Sequence, residues 1–304
     1  MSVIKDIDKQ NHEKRGCETP MDVKKHREEP LHLQYLHTFY RKYFPVALFS
    51  RFFGLSAHRE VSFMKQNERV IRYLSFDGAD ALMDALLKEV PLKFDLGSNY
   101  VSVPAMNSNN IFKSRELVFD IDMTDYMKEM ERKGKTGGNK TKHAEGERGV
   151  SSTALRDTSD VHVCDKLCDD CIAQMNRIIA LLKEILTDHF GFTHVIFFFS
   201  GNKGFHCYVM DALTSHFASI VRHSIASYLK KHSVLVDENV TKDVKHLLKA
   251  PFCVHPKSGY VCVPVVEGIE KVHVSDVVCG NVGLEKYYKF FEEFVNNLHS
   301  TVCG

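Results

Sequence analysis

The stretch ELVFDIDMTDY, residues 116–126, sets three carboxylates behind a short apolar run. On a strand, residues two apart share a face, so Asp120 and Asp122 leave one side while Ile121 points into the other. Two carboxylates so close repel unless a cation lies between them, and hard oxygen ligands suit Mg²⁺ or Mn²⁺. Such a pair can organise two-metal phosphoryl transfer. DIDMT also fits the D-x-D-x-T pattern of aspartate-nucleophile phosphatases, in which the first Asp attacks phosphorus. A solvated strand end is the plain alternative. The later chain offers an isolated Asp237 where a phosphatase would add a second carboxylate pair, which weakens the phosphatase reading.

Around this strand the pattern alternates irregularly between periods. LHLQYLHTFYRKYF (31–44) places Leu33, Leu36, Phe39, Tyr40 and Tyr43 at helical spacing before Pro45. REVSFMK (59–65) and ERVIRYLSF (68–76) have strand character, and ADALMDALLKEV (79–90) reads as a helix closed by Pro91. Beyond the acidic strand, IAQMNRIIALLKEILTDHF (172–190) is helical, and HVIFFFS (194–200) is a continuous apolar run expected to form a central, buried strand. A helix over about 212–231, two apolar runs, SVLVD (233–237) and YVCVPV (260–265), and a helical LEKYYKFFEEFVNNL (284–298) follow. Without a regular βαβ rhythm, the expected class is α+β or irregular α/β. Residues 1–28 read as a disordered tail, 29–304 as one catalytic domain, and 127–161 as a disordered insertion within it.

Composition narrows the function. The 304 residues are 44% apolar, enough for one large core or two small ones. A formal charge of +1 gives no overall basic field, so any nucleic-acid contact must come from a local patch. The N-terminus is charged where a signal peptide needs an apolar segment, and no long uncharged apolar run occurs. A soluble, intracellular protein without a membrane span is expected. Nine cysteines are unevenly spaced and form no disulfide framework. Three of them crowd into HVCDKLCDDC (162–171), where His162, Cys164, Cys168 and Cys171 have the spacing of a zinc site. Asp165, Asp169 or Asp170 could replace His162 as fourth ligand, and three metal-free thiols are the alternative. Cys207, Cys253 and Cys262 read as core residues.

FFFSGNKGFHCYV (197–209) puts Ser200, Gly201, Asn202, Lys203, Gly204 and His206 after an apolar strand. Small residues let backbone N–H groups approach a phosphate, while Lys203 and a protonatable His206 supply charge; an ordinary glycine turn is the competing reading. SVLVDENVTKDVKHLLKAPFCVHPKSG (233–259) adds Asp237, Lys245, Lys249, His255 and Lys257, a third carboxylate and a basic cluster suited to a metal–triphosphate complex.

HREVSF, IRYLSF, ELVFDIDMTDY, SGNKGFHC and HLLKAPFCVHPKSG, in this order across most of residues 31–265, resemble the small catalytic subunit of archaeal and eukaryotic DNA primases. The resemblance implies a primase-type catalytic core, mixed sheets flanked by helices with a small zinc-binding motif at 162–171. It implies synthesis of short RNA primers de novo on single-stranded DNA from ribonucleoside triphosphates, with two Mg²⁺ or Mn²⁺ ions on Asp120, Asp122 and Asp237. Ser200, Lys203, His206, Lys249 and His255 would bind the triphosphate and sugar, with Leu248 beside the ribose, and Glu60 and Arg72 would belong to the initiation or nucleotide site. A structural Zn²⁺, a large regulatory subunit, the DNA polymerase α complex and a nuclear location are implied as well. Two departures stand out. The family's SGRRG turn reads SGNKG here, so Asn202 replaces an arginine and a bidentate contact is lost. Only KKHSVLV (230–236) stands where eukaryotic members insert a helical subdomain, so that subdomain is shortened. A zinc-stabilised nucleic-acid-binding subunit with lost catalysis is the alternative, and an aspartate-nucleophile phosphatase a weaker one.

Overall fold

A computed structural model describes residues 33–136 and 167–300. In chain order its elements are α1 (Leu33–Tyr43), α2 (Val46–Phe53), β1 (Arg59–Met64), β2 (Val70–Leu74), α3 (Ala79–Glu89), β3 (Lys93–Tyr100), β4 (Phe112–Ser114), β5 (Leu117–Asp122), α4 (Met123–Thr136), α5 (Asp169–Glu184), β6 (Val195–Phe199), β7 (Gly204–Val209), α6 (Ser219–Lys231), α7 (Glu238–Lys242), β8 (Leu248–Lys249), α8 (Val274–Val278) and α9 (Glu285–Ser300). The class is α+β, with antiparallel pairing throughout.

Strands β2, β1, β3 and β4 lie side by side in that order, and β8 joins β3 through Asp95–Lys249 and Leu96–Leu248. The second sheet has the order β5-β7-β6. HVIFFFS therefore forms a buried strand, as expected, but β7 rather than β6 is central. Residues 263–265 run along the outer side of β6, with Phe199 N–H donating to the Val263 carbonyl and Val265 N–H to that of Phe197, each at 2.9 Å. This lateral cover pairs the outer edge of β6, whose side chains are apolar because both faces meet core.

The second sheet is buried on both faces, and strand periodicity assigns each residue to one of them. Val118, Ile196, Phe198 and Tyr208 join the core that also contains α1, α2, α3, α9 and the first sheet. Leu117, Phe119, Ile121, Phe197, Phe199, Phe205 and Val209 pack instead on Met175, Ile178 and Leu182 of α5 and on Ile225 and Leu229 of α6. Asp120 and Asp122 are in phase with Val118, so both belong to the face turned toward the first sheet.

Two expectations need correction, and one apolar run takes an irregular path. Residues 127–136, read as the start of a disordered insertion, continue α4, whose Met123 and Tyr126 are buried. The rest of that segment, the 1–28 tail, His162 and Cys164 lie outside the described residues. The 212–231 helix is interrupted: a 3₁₀ turn (Ala212–His216) precedes α6. SVLVD forms no regular strand, because it serves as the connection that brings Asp237 to β5.

Candidate active site

Helix capping fixes two of the three carboxylates. Asp122 ends β5 where α4 begins, and its Oδ1 accepts from the Thr124 N–H at 2.8 Å. Asp237 caps α7, its Oδ1 accepting from the N–H groups of Asn239 (2.9 Å) and Val240 (3.3 Å). The Asp237 N–H in turn donates to the Asp120 carbonyl at 2.8 Å, joining the two segments. Asp120 stands in register with His206 of β7, with Nε2 of the ring 3.6 Å from its Oδ1.

All three aspartates line one cavity of about 510 Å³, together with Ser200, Asn202, Lys203, His206, Leu248, Lys249 and His255. That volume lies within the usual range for small-molecule sites. The walls divide by charge. Around the acidic wall, burial, then Asp122 and Asp237, push the Asp120 carboxyl up to about 7. On the basic wall, burial lowers the pKa of Lys249, whose ammonium donates to the Ser200 carbonyl. Burial, then Lys249 and Lys93, hold His206 well below the ordinary histidine range, and its Nδ1 is buried without a hydrogen-bond partner. His255 is pushed down to about 3 by burial, then Lys249, Lys93 and Lys257. The N–H groups of Lys257 (3.3 Å) and Ser258 (3.4 Å) donate to His255 Nδ1, so the neutral ring carries its proton on Nε2.

The glycines of SGNKG answer to packing. A Cβ on Gly204 would lie 2.1 Å from the Ile121 carbonyl oxygen, and one on Gly201, at φ +85°, would lie 2.8 Å from both His255 Cβ and the Tyr260 carbonyl oxygen. The segment is a hairpin turn in which Ser200 N–H donates to the Gly204 carbonyl at 3.0 Å. Close approach to β5 and to the His255 segment therefore dictates these residues.

Glu60 and Arg72 do not line the cavity. Glu60 is fully buried, accepting from Arg72 Nε at 2.9 Å and from the Tyr100 hydroxyl at 3.1 Å. Arg72 also donates to the Lys245 carbonyl at 3.3 Å, which places the pair behind the 245–248 segment. Lys93 and Asp95 of β3, absent from the sequence reading, do line the cavity. Their side chains pair at 2.6 Å, and Ser62 donates to Asp95 at 3.3 Å. The signal was present: K-x-D on a strand shares a face for the same reason as D-x-D.

Among the described residues, no group of three or more His, Cys, Asp or Glu side chains is gathered tightly enough to cage an ion. The carboxylates nevertheless suit one. Asp122 and Asp237 use only Oδ1 in capping, and the raised pKa of Asp120 reflects buried negative charge that a cation would relieve. At the other proposed metal site, Cys168 caps α5 and its sulfur lies 3.6 Å from that of Cys171.

The family model for the DNA primase small subunit matches residues 156–232 and 225–267. The DNA primase small subunit of Drosophila melanogaster is 31% identical over 64% of this chain and 40% of its own length. That of Schizosaccharomyces pombe is 30% identical over 57% and 33%. PriS, the DNA primase small subunit of Sulfolobus acidocaldarius, is 27% identical over 68% and 69%. The chain is similar to the DNA primase small subunit over these residues. The chain spans well under half the length of the fly and fission-yeast relatives, and about two thirds of the archaeal one. The polymerase domain of Mycobacterium tuberculosis Ligase D, in complex with DNA, superposes with a TM-score of 0.46 at 14% identity over 84% of this chain and 90% of its own. No helix among the described residues is long and apolar enough to cross a membrane.

Proposed function

We propose that this chain is a primase, a DNA-directed RNA polymerase that joins ribonucleoside triphosphates into short primers de novo on single-stranded DNA. The observation that carries the reading is the division of one cavity into an acidic wall of Asp120, Asp122 and Asp237 and a basic wall of Lys93, Lys203, Lys249 and Lys257. A polyphosphate accompanied by divalent cations matches both walls at once, as no lone anion or cation does.

Asp120, Asp122 and Asp237 would hold Mg²⁺ or Mn²⁺, which when bound neutralises charge on the attacking and leaving oxygens. The chain's own residues do the positioning. Lys203 and Lys249 bind triphosphate oxygens, and His255 donates from Nε2 without carrying charge. His206 brings an unpaired buried Nδ1, and Ser200 completes the turn beside them. Leu248 lines the sugar position, where the Asp95 carboxylate can accept from a ribose hydroxyl. Glu60 and Arg72 act from behind, by holding the 245–248 segment that presents Leu248 and Lys249.

A structural Zn²⁺ on His162, Cys164, Cys168 and Cys171 fits the one distance at hand. Zn–S bonds of about 2.3 Å in a tetrahedron separate two sulfurs by about 3.8 Å, close to the 3.6 Å between Cys168 and Cys171. That the relatives are named small subunits supports partnership with a large regulatory subunit; the DNA polymerase α complex and a nuclear location are part of the same proposal. A nucleic-acid-binding subunit without catalysis is the second reading, favoured by the absence of a preformed ion cage among the described residues.

The test incubates purified protein with poly(dT), labelled ATP and Mn²⁺ beside an Asp120→Ala, Asp122→Ala double variant. Template-dependent oligoribonucleotides from the wild type alone support the primase. No product even with the large subunit, together with retained single-strand binding, moves the weight to the binding subunit.

A further inference from the structure

The three carboxylates come from two pieces of chain, and part of what fixes one against the other lies outside the cavity. β5 supplies Asp120 and Asp122, while Asp237 caps α7, a helix of five residues and too short to hold its own place. Its N-terminal end is tied by the Asp237 N–H to the Asp120 carbonyl. Its C-terminal end meets Arg115, which lies just before β5. Arg115 Nη1 donates to the carbonyl of Asp243, the C-cap of α7, at 3.0 Å and to that of Val240 at 3.4 Å.

Arg115 is itself immobilised. Only 2% of it is exposed. Its N–H donates to the Ser215 carbonyl at 2.9 Å, and its carbonyl accepts from Arg222 Nη2 at 2.6 Å. The neighbouring Glu116 is already taken in a two-pronged pair by Arg59, at 2.8 and 2.7 Å. Arg115 therefore faces helix-end carbonyls instead of a dedicated carboxylate, and the negative end of a helix dipole is a favourable place for a cation. Burial lowers its pKa to about 10, against the opposing pull of Glu116, so the guanidinium is charged at neutral pH.

We propose that Arg115 is a positioning residue: by gripping the C-terminal carbonyls of α7 it fixes Asp237 beside Asp120 and Asp122 and so sets the divalent-cation affinity of the three. This rests on reading those carboxylates as a cation site. The arrangement ties both ends of α7 to the segment that carries the other two ligands, so loss of the grip removes the hydrogen-bonded tie at the C-terminal end of α7 and leaves that end to packing alone.

The test titrates the full chain with Mn²⁺ in the absence of nucleotide, following the ion by electron paramagnetic resonance, with thermal unfolding recorded in parallel. Arg115→Met is expected to weaken Mn²⁺ binding by about 10- to 100-fold, the range for lost outer-sphere support of a metal ligand. Arg115→Lys should fall between it and wild type. Val295→Ala, a loss in the core on α9, should lower stability without moving Mn²⁺ affinity. Wild-type Mn²⁺ affinity in Arg115→Met, or in Arg115→Lys should the first variant fail to fold, overturns the proposal. A wild-type chain whose Mn²⁺ binding is unaffected by Asp120→Ala with Asp122→Ala overturns the cation-site reading itself, which separates the two failures.

Discussion

Replacing Lys249 with methionine separates what the lysine does for the fold from what it does for the site. The residue is 8% exposed, and its ammonium donates to the Ser200 carbonyl. Methionine keeps the unbranched stem and removes the charge. The Ser200 carbonyl left behind costs about 1–3 kcal/mol if nothing replaces the donor, against an effective penalty of several kcal/mol for keeping an ion buried. Thermal stability at pH 7 should therefore hold or rise. The unfolded lysine titrates near 10.5, whereas burial makes the native one release its proton at lower pH. Native stability in the wild type thus climbs between the native pKa and 10.5, and the advantage of Lys249→Met is greatest below that window and shrinks through it. Function should move the other way. A charge-assisted contact to phosphate is worth about 1.5–3 kcal/mol, or about 10- to 100-fold in the ATP concentration needed for half-maximal primer synthesis. Thermal unfolding at two pH values and an ATP titration decide the matter. A variant destabilised by more than about 2 kcal/mol, beyond the typical point mutation, with unchanged ATP dependence would refute the reasoning, because the lysine would then serve the fold alone.

Gly204→Ala should destabilise by about 1–3 kcal/mol in urea unfolding, since its Cβ would lie 2.1 Å from the Ile121 carbonyl oxygen and the β5–β7 register leaves it no room; wild-type stability would show that the strands part cheaply. Glu116→Gln should cost about 3–5 kcal/mol by stranding the buried Arg59. Burial alone would raise the Glu116 pKa, yet Arg59 outweighs it and the net shift is downward, so the wild type loses this stability as pH falls through the native pKa, below 4.5, and the variant's acid limb should be flatter. Cys171→Ser should abolish the bound zinc measured by metal analysis of the purified chain, and an unchanged zinc content would exclude Cys171 as a ligand.

The elements that the sequence betrayed are those whose apolar faces meet core. Leu36, Phe39 and Tyr40 of α1 are fully buried at the spacing that predicts them, and so are Met175, Ile178 and Leu182 of α5. β3 escaped notice for a physical reason. In KFDLGSNY one face carries Lys93, Asp95 and Gly97 before a bulge shifts the register ahead of Asn99, and polar residues on a strand usually signal solvent. Here Lys93 and Asp95 turn into a cavity, so the strand lies between a core and a site and has no large apolar surplus to announce it. α4 hides in the opposite way. Its surface carries the ion pairs Asp125–Lys128 and Glu129–Arg132 one turn apart, and that composition reads as disorder beside the buried Met123 and Tyr126. SVLVD is an apolar run that satisfies burial without a ladder; Leu235 N–H donates to the Tyr126 hydroxyl and Asp237 N–H to the Asp120 carbonyl.

The residues of the site were legible in short motifs, but their protonation was not, and this changes what they do. A histidine after a glycine turn and another beside a lysine read as protonatable cations on a phosphate site. Burial and a field of lysines leave both His206 and His255 neutral over the physiological range. His255 then acts as a directional donor through Nε2, because two backbone N–H groups occupy Nδ1. On the proposed reading, the positive charge that would meet a triphosphate belongs to the lysines alone, among them Lys93, which no motif contained. Charge and direction are thus divided between residue types: lysines from β3, the SGNKG turn and the 249–257 segment supply attraction, and histidines held rigidly between them supply geometry. Asn202 fits the same division, since Lys93 and Lys249 already stand on that wall and a further donor there need not carry charge.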